Sequence, residues 1–391
     1  MRKIDLTLIL IVTFLIIIGL IAIYSAAGTR YLFRQLLFLP FGLVGLLVAF
    51  FTPRRIILGT AEILYILTLI MLITVLIWGT GPGAKRWFAI GAFNIQPSEV
   101  AKFTTTVVLA KYLSYRRNLK LDFPNIAGPA FLTITPVLLI LAEPDLSTAI
   151  SILPAFAAML YWQGLRPLHI LLLFIPPFSF VAGFSIYFWI PFFILLAIIV
   201  FLRMKFLPAI TTLIISSAFG LLSPIVISLL KDYQRARIKN FFAPWLDPHG
   251  IGWNAIQSQI AIGSGRVLGK GYLKGTQKRL GFLPNRHTDF IFSSIAEEFG
   301  LLGSIVLLLL FFLFIHRILL TAYKTRDQNG ALLCIGFAAI ITYQIFVNIG
   351  MLLGVLPITG ITLPFISYGG SSLLVTMTML GLLLNVGTKP E

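Results

Sequence analysis

Charge is scarce in this 391-residue chain: only 11% of its residues are Asp, Glu, Lys or Arg, and only 13 are acids. Soluble domains carry about 25% charged residues, so the composition excludes an ordinary soluble protein. Cysteine is nearly absent as well. The one cysteine, Cys334, excludes an intramolecular disulfide and any cysteine-based metal site. We predict that Cys334 is a small buried side chain within an apolar helix.

Apolar residues fill the place of the missing charge, since 58% of the chain is hydrophobic. Runs of about 18 or more apolar residues predict membrane-spanning helices, and the alternating pattern of a membrane barrel is absent. We therefore predict an all-α polytopic membrane protein, one membrane domain over 1–391. About twelve transmembrane helices are predicted, at 6–25, 33–51, 56–78, 98–114, 125–142, 147–163, 168–186, 187–202, 206–230, 298–320, 331–353 and 364–386.

Basic residues in the short connections fix the orientation, because cytoplasmic loops carry an excess of Lys and Arg. They occur in alternate connections, so all of them lie in the cytoplasm if the N-terminus does. This pattern predicts that both termini are cytoplasmic. Two long segments, 79–97 and 231–296, then lie outside the cytoplasm. The second carries ten basic residues and three acids. Long loops are exempt from the rule, so the basic residues of this loop need a functional reason. We predict that the large extracytoplasmic loop holds the active site and meets an anionic partner.

The net charge of +17 raises the question of nucleic acid, but the many spans exclude a simple groove-binding protein. The charge instead suits cytoplasmic anchoring and anionic lipid head groups. No internal repeat of the kind that builds many transporters is evident.

Asp289 ends the polar loop and precedes Phe290 and Phe292. One interpretation is an N-cap of the next helix. The other is a general base whose pKa the aromatic neighbours raise, an effect that Arg286 would oppose. The residue types alone leave both open. His287 and Asp289 could also ligate a metal, but two ligands do not make a site.

Two earlier groups combine charges near span ends. Glu99 and Lys102 share one helix face, and they form either a mutually neutralising pair or a cavity lining in which Lys102 meets a diphosphate. Glu143 and Asp145 join two spans. Ordinary turn chemistry explains that Asp, while two acids beside a cavity could hold a cation or orient Lys102.

The segment from Gly263 to Gly275 interleaves five glycines with Arg266, Lys270 and Lys274. Backbone amides and cations can bind phosphate, and a flexible loop is the alternative. Neither nucleotide-binding glycine spacing is met, so ATP binding is not supported.

Two further pairs of residues have two interpretations each. Lys85 and Arg86 stand beside Trp87, which suits either interface anchoring or lipid head-group binding. Glu297 and Glu298 are expected to start the next helix, where acids favour the positive end of the helix dipole, with Glu297 facing a cavity as the alternative.

These motifs, in order along nearly the whole chain, resemble the SEDS family (shape, elongation, division and sporulation). Arg286 before the histidine favours its RodA branch over its division branch, FtsW. The family core has ten spans, and the surplus fits an extra pair near 168–202. The matching stretches are Gly83-Ala84-Lys85-Arg86-Trp87, Gln96-Pro97-Ser98-Glu99-Val100-Ala101-Lys102, Glu143-Pro144-Asp145-Leu146, Gly269-Lys270-Gly271, His287-Thr288-Asp289-Phe290-Ile291-Phe292, Pro357-Ile358-Thr359-Gly360 and Ser367-Tyr368-Gly369-Gly370-Ser371.

The resemblance implies a peptidoglycan glycosyltransferase that polymerises lipid II, a disaccharide-pentapeptide on undecaprenyl diphosphate, for cell elongation and rod shape. The essential acid of the family falls on Asp289, which would deprotonate the acceptor hydroxyl. Residues that line the family's central cavity fall on Arg86, Glu99, Lys102, Asp145, Lys270 and Ser367. Lys85, His287 and Glu297 complete the set of substrate-binding candidates that we predict.

The resemblance also implies the surroundings of the protein. These are a bacterial inner membrane, a class B penicillin-binding protein as partner, other membrane proteins of the elongation complex, and no nucleic acid. No cofactor is required by the proposed chemistry, and a divalent cation is left open. The alternatives are a flippase that moves lipid II across the bilayer and a non-enzymatic scaffold for cell-wall assembly. A flippase needs a coupling site near the membrane midplane, whereas most candidates cluster near the outer face.

Overall fold

The structure, a computed structural model, describes residues 5–81, 85–90, 93–116, 123–203, 206–229, 251–276 and 285–388. Within these ranges the chain forms fourteen helices and one short hairpin. Each of the twelve predicted spans overlaps at least one helix, and the all-α polytopic prediction is confirmed. The elements are α1 Leu6–Ala27, α2 Thr29–Phe51, α3 Arg54–Gly59, α4 Ala61–Trp78, β1 Phe88–Ile90, β2 Phe93–Ile95, α5 Pro97–Ser114, α6 Phe123–Ala142, α7 Leu146–Trp162, α8 Pro167–Ala182, α9 Ile186–Arg203, α10 Phe206–Leu229, α11 Ile251–Ser264, α12 Ile291–Lys324, α13 Gln328–Leu352 and α14 Gly370–Thr388.

The helices suit a bilayer by length and composition. Eight of those described are long and apolar enough to cross a membrane, and α7, α8 and most of α10 are shorter apolar helices. The chain is therefore an integral membrane protein. Helix α5 is the polar exception, and it encloses its polar side chains, including Glu99 and Lys102, inside the bundle.

Helix α13 is the centre of the bundle. It packs against α5, α7 and α12. Of the residues in its most apolar 18-residue stretch, 78% are buried, against 11% in the corresponding stretch of α9. The two helices predicted near 168–202 are present as α8 and α9, separated by a turn at Gly183. Together with α10 these helices share a small core of their own around Ile175, Leu196 and Val200.

The bundle has two chemically distinct ends. One, the Arg54 end, carries an ion pair of 2.5 Å between Arg54 and Asp327 and another of 2.7 Å between Arg317 and Asp5. The other, the Asp289 end, carries the β1–β2 hairpin, the starts of α5, α7, α12 and α14, and the connection between α13 and α14.

Two predicted boundaries were wrong by about two turns. Helix α12 begins at Ile291 instead of residue 298, and α14 begins at Gly370 instead of residue 364. Of the predicted large loop 231–296, residues 231–250 and 277–284 lie outside the described ranges. Residues 251–264 form helix α11, which packs on α12 and α13 through Ser258. The Ser258 hydroxyl lies 2.7 Å from that of Ser293 and donates to the carbonyl of Leu352.

Candidate active site

Asp289 lies just before α12 and is not its N-cap. The N-cap position belongs to Phe290, so the capping interpretation was wrong. Asp289 is half-buried between Thr288 and the buried Phe290. Its backbone carbonyl accepts a 2.9 Å hydrogen bond from the Nδ2 of Asn348, and the same amide donates at 2.6 Å to the carbonyl of Ile361. Asn348 thereby fastens the Asp289 segment to the connection between α13 and α14.

The Asp289 carboxylate faces that connection at Gly360. Gly360 has a φ of +80°, and a Cβ on it would stand 3.3 Å from Oδ2 of Asp289. Ser367 holds the segment from the other side, because its hydroxyl donates at 2.7 Å to the carbonyl of Thr288 and accepts at 2.8 Å from the amide of Leu363. Ser367, predicted to line a cavity, therefore positions the backbone beside Asp289.

His287 contacts two tyrosines that sequence reasoning did not single out. Its ring centroid lies 4.1 Å from that of Tyr31 and 5.4 Å from that of Tyr368. Burial, and secondarily the charge of Arg286, lowers the pKa of His287. The ring is therefore favoured in its neutral form, and it places an aromatic surface two residues from Asp289.

The starts of α5 and α7 join the same end through Asp145. This residue is the N-cap of α7, where it accepts hydrogen bonds from the amide and hydroxyl of Thr148. It also accepts at 3.0 Å from Nε2 of Gln96. Two residues on, the Ser147 hydroxyl donates to the carbonyl of Thr359, beside Gly360. The turn interpretation of Asp145 is confirmed, and its other carboxylate contact links α7 to α5.

Arg86 is tied to the connection between α6 and α7. Its Nε donates at 3.0 Å to the carbonyl of Glu143, and its Nη2 donates to the carbonyl of Pro144. The Glu143 carboxyl group itself is 1% exposed, and neither of its oxygens has a hydrogen-bond partner among the described residues. Burial, then the nearby Asp145 charge, raises the pKa of Glu143 to about 8, although Arg86 opposes the shift.

Glu99 and Lys102 form the predicted pair, with Nζ 2.8 Å from Oε1. Both side chains are nearly inaccessible. Of the two interpretations, mutual neutralisation is the one that the observed contact supports. Lys85 is different, because it is exposed and donates to the carbonyl of Ile77 at the end of α4.

The glycine-rich segment is neither an open phosphate cradle nor a free loop where it is described. Helix α12 is kinked at Gly300, which has a φ of +66°. There the amides of Lys270 and Gly271 donate to the carbonyls of Glu297 and Glu298, both at 3.0 Å. Gly269 allows this approach, since a Cβ on it would stand 2.2 Å from the Glu298 carbonyl oxygen. These two amides are therefore engaged by α12.

The same contact brings the Lys270 side chain within hydrogen-bonding distance of the Glu297 carboxylate. The carboxylate of Glu297 is 1% exposed, and its Oε1 accepts from Lys270 Nζ at 2.8 Å. It also accepts from the amide and hydroxyl of Thr276. Glu297 therefore does not sit at a helix start, as predicted, but two turns inside α12, where it holds a cationic side chain. The neighbouring Glu298 accepts from the hydroxyl of Ser25 at 2.5 Å.

The structure thus places most of the predicted residues at one end of the bundle. They are linked through successive pairwise contacts and do not form one tight cluster. Among the described residues, no three His, Cys, Asp or Glu side chains lie close enough together to hold a metal ion. Comparison with known proteins identifies the arrangement. The chain matches the FtsW/RodA/SpoVE family, described as cell cycle protein, over residues 5–195 and 188–391.

The chain belongs to the FtsW/RodA/SpoVE family. The family resemblance of its motifs is confirmed. Among its relatives, the peptidoglycan glycosyltransferase MrdB of Escherichia coli (strain K12) is 35% identical over 387 residues, which cover 98% of this chain and 93% of the relative. The peptidoglycan glycosyltransferase RodA of Treponema pallidum (strain Nichols) is 32% identical, covering 98% of both proteins.

Solved structures of this family's fold agree over almost the entire length. A chain from a peptidoglycan synthase complex, described as coordinating polymerization and crosslinking, matches with a TM-score of 0.75 at 31% identity, covering 98% of each chain. The rod shape determining protein RodA of Thermus thermophilus matches with a TM-score of 0.67 at 28% identity, covering 98% of this chain and 97% of the other.

Proposed function

We propose that this membrane protein is a peptidoglycan glycosyltransferase that polymerises lipid II and uses Asp289 as its general base. The class of activity follows from family membership and from relatives named for it. The observation that carries the role of Asp289 is its placement. Asp289 lies one residue before the N-cap position of α12, its backbone carbonyl accepts a hydrogen bond from Asn348, and its carboxylate faces Gly360.

In the proposed reaction, the Asp289 carboxylate takes the proton of the acceptor sugar's 4-hydroxyl group. The resulting oxygen attacks the anomeric carbon of the donor while the bond to the lipid diphosphate breaks. Attack opposite the leaving group inverts that carbon and gives a β-1,4 bond. Because a diphosphate is already a good leaving group, neutralisation of its charge can replace the second carboxylate of a glycosidase.

The cations for that neutralisation are Arg86, Lys102 and Lys270. Each has an intramolecular partner: backbone carbonyls for Arg86, Glu99 for Lys102 and Glu297 for Lys270. A bound diphosphate would therefore exchange for these contacts instead of meeting unengaged charges. Lys270 is the more accessible of the two lysines, because its side chain is 26% exposed, against 3% for that of Lys102. We assign the first diphosphate contact to Lys270.

The remaining candidates have supporting roles. Asp145 and Ser367 hold the backbone around Asp289 and the start of α7, while the neutral His287 ring offers a surface for a sugar. Lys85, exposed beside Trp87, suits an interfacial contact with a lipid head group.

The proposal includes an orientation and a partner. The short basic connections favour cytoplasmic termini, and they therefore favour an Asp289 end at the outer face of the bacterial inner membrane, where lipid-linked donors would be consumed. The matched synthase complex supports a class B penicillin-binding protein transpeptidase as partner, for cell elongation. The orientation is tested by labelling. A cysteine introduced at residue 86, in a chain with Cys334 replaced by Ala, should react with an impermeant maleimide in intact cells.

The activity is tested with purified protein, with and without the partner, and lipid II labelled in its sugar. Glycan strands and free undecaprenyl diphosphate are the expected products. Transfer of intact lipid II between leaflets of a vesicle, without polymer, would support the flippase alternative and overturn the proposal.

A further inference from the structure

A cavity with charged side chains at its rim lies at the Arg54 end, away from the candidate active site. It has a volume of about 490 Å³ and opens between α4, α5 and α6. Its lining residues are Glu62, Val108, Lys111, Tyr112, Tyr115, Arg116, Gly128, Phe131 and Leu132. None of them belongs to the proposed active site, and their charged side chains, Glu62, Lys111 and Arg116, all lie on α4 or at the end of α5.

Two cations and one acid form the charged side. Lys111, in the last turn of α5, donates at 2.6 Å to the carboxylate of Glu62 at the start of α4. Arg116 lies 4.7 Å from the ring centre of Tyr112 and donates to the side chain of Asn125. These groups all stand at helix ends. They therefore lie at the depth of the lipid head groups, where basic pockets between helices select anionic lipids.

The cavity wall is shaped by Gly128 and Pro136, which lie within helix α6. A Cβ on Gly128 would stand 2.0 Å from the Tyr112 hydroxyl, so only glycine lets this ring lie across the helix. Pro136, which has no amide hydrogen, leaves the carbonyl of Leu132 without its normal helical donor. The hydroxyl of Tyr65 donates to that carbonyl at 2.9 Å. The wall is therefore a fixed feature of the packing between α4, α5 and α6.

The opposite side of the cavity is apolar and continues along α6 into the membrane. Phe131, Ile134 and Leu138 are all exposed, and their spacing puts them on one helix face below the charged groups. A soluble anion would use only the charged side. An occupant that uses both sides has a negatively charged head and an apolar chain.

We propose that this cavity, with Lys111 and Arg116 at its rim and the Phe131 face beneath, binds the head group of an anionic phospholipid. The phosphate contacts the two cations, and an acyl chain lies along Phe131, Ile134 and Leu138. Glu62 opposes the phosphate and sets the affinity, because it competes for the Lys111 ammonium group. This site does not depend on the proposed glycosyltransferase activity.

The test uses native mass spectrometry of the full chain in a neutral detergent, titrated with phosphatidylglycerol or with phosphatidylcholine. We expect preferential retention of phosphatidylglycerol. Lys111→Gln and Arg116→Gln should each weaken it about five-fold, the effect of removing one cation near a phosphate. Glu62→Gln should strengthen retention, which a merely structural role for Glu62 would not produce. Lys324→Gln, which removes an exposed charge at the same end but outside the cavity, is the matched control.

Other outcomes overturn the proposal. These are equal retention of both lipids, the same loss in Lys324→Gln as in Lys111→Gln, or weaker retention in Glu62→Gln. Displacement of the lipid by millimolar glycerol phosphate would show a phosphate site that makes no use of the apolar face, and would overturn the lipid assignment. Gly128→Ala provides a second route to the answer, since the displaced Tyr112 ring should fill the cavity and reduce retention without removing a charge.

Discussion

Asp289 and Gly360 approach so closely that a single methyl group at residue 360 would press on the Asp289 carboxylate, 3.3 Å away. Gly360→Ala adds that methyl group at a backbone φ of +80°, which costs about 1 kcal/mol in a residue other than glycine. Because small displacements of reacting groups cost up to about 100-fold in rate, we expect polymerisation to fall at least about ten-fold.

Gly28→Ala is the control for that experiment. It has a φ of +78° and no atom within 4 Å of its Cβ position, so it adds a methyl group at a similar φ without the contact. Initial rates of lipid II consumption measure both variants. Equal losses in the two would mean that strain alone, and not displacement of Asp289, explains the effect.

Glu297 should matter for activity because it positions Lys270. Glu297→Gln keeps one oxygen that can accept from Thr276, but it removes the buried negative charge that holds the Lys270 ammonium group. We expect about ten-fold slower polymerisation and a raised KM for lipid II. Glu298→Gln, one residue further along α12, should be milder, since the Ser25 hydroxyl can donate to the remaining amide oxygen. Indistinguishable kinetics for Glu297→Gln and wild type would contradict the assignment to Lys270.

The buried carboxyl group of Glu143 should make the stability of the protein depend on pH. Burial raises its pKa to about 8 from 4.5, so the folded protein binds this proton more tightly than the unfolded chain does. The stabilisation is complete below pH 4.5 and is lost as the pH rises toward 8. We expect the Tm of the wild type to fall between pH 6 and pH 9, and Glu143→Gln to fall less.

Thermal unfolding of both proteins in the same detergent measures this difference. Parallel decreases in wild type and Glu143→Gln would show that other groups cause the pH dependence.

The Arg54 end should govern stability without taking part in catalysis. Asp327→Asn removes the carboxylate from the ion pair with Arg54, whose side chain is 1% exposed, while an amide oxygen can still cap α13. Breaking a buried pair on one side costs about 3 kcal/mol. We therefore expect a Tm lower by several degrees, and an unchanged rate per folded molecule. A rate that falls while the Tm holds would connect this end to the reaction.

Much of the fold could be predicted from hydrophobic periodicity, because each span must be apolar to sit in lipid. The errors arose where charged or apolar side chains are buried by contacts from elsewhere in the chain. Glu297 and Glu298 looked like the polar start of a span, yet Lys270 and Ser25 satisfy them two turns inside α12. Pro364 to Ile366 looked like the start of the last span, but these apolar residues are buried in a non-helical connection.

The site was predicted less completely, because its geometry depends on contacts between distant segments. Asp289 and the Glu99–Lys102 pair carried local signals. Asn348 and Gly360 carried no local signal of a contact with Asp289, although Gly360 stands in a stretch that resembles the family, since an Asn within an apolar helix and a Gly after Pro357 have many ordinary explanations. Only the packed chain reveals that both position Asp289. Likewise, the alternation of glycine and lysine near residue 270 could not disclose that its amides bind the kinked helix α12.

The central claim is that one carboxylate, Asp289, activates the acceptor hydroxyl. Its most direct measurement is the initial rate of lipid II polymerisation by Asp289→Asn, with Asp5→Asn as a matched acid-to-amide change at the opposite end of the bundle. General-base catalysis contributes about 100- to 10,000-fold, so the account predicts a loss of at least about 100-fold in Asp289→Asn, at unchanged Tm, and a near-normal rate in Asp5→Asn. A folded Asp289→Asn protein that polymerises lipid II at the wild-type rate would contradict it.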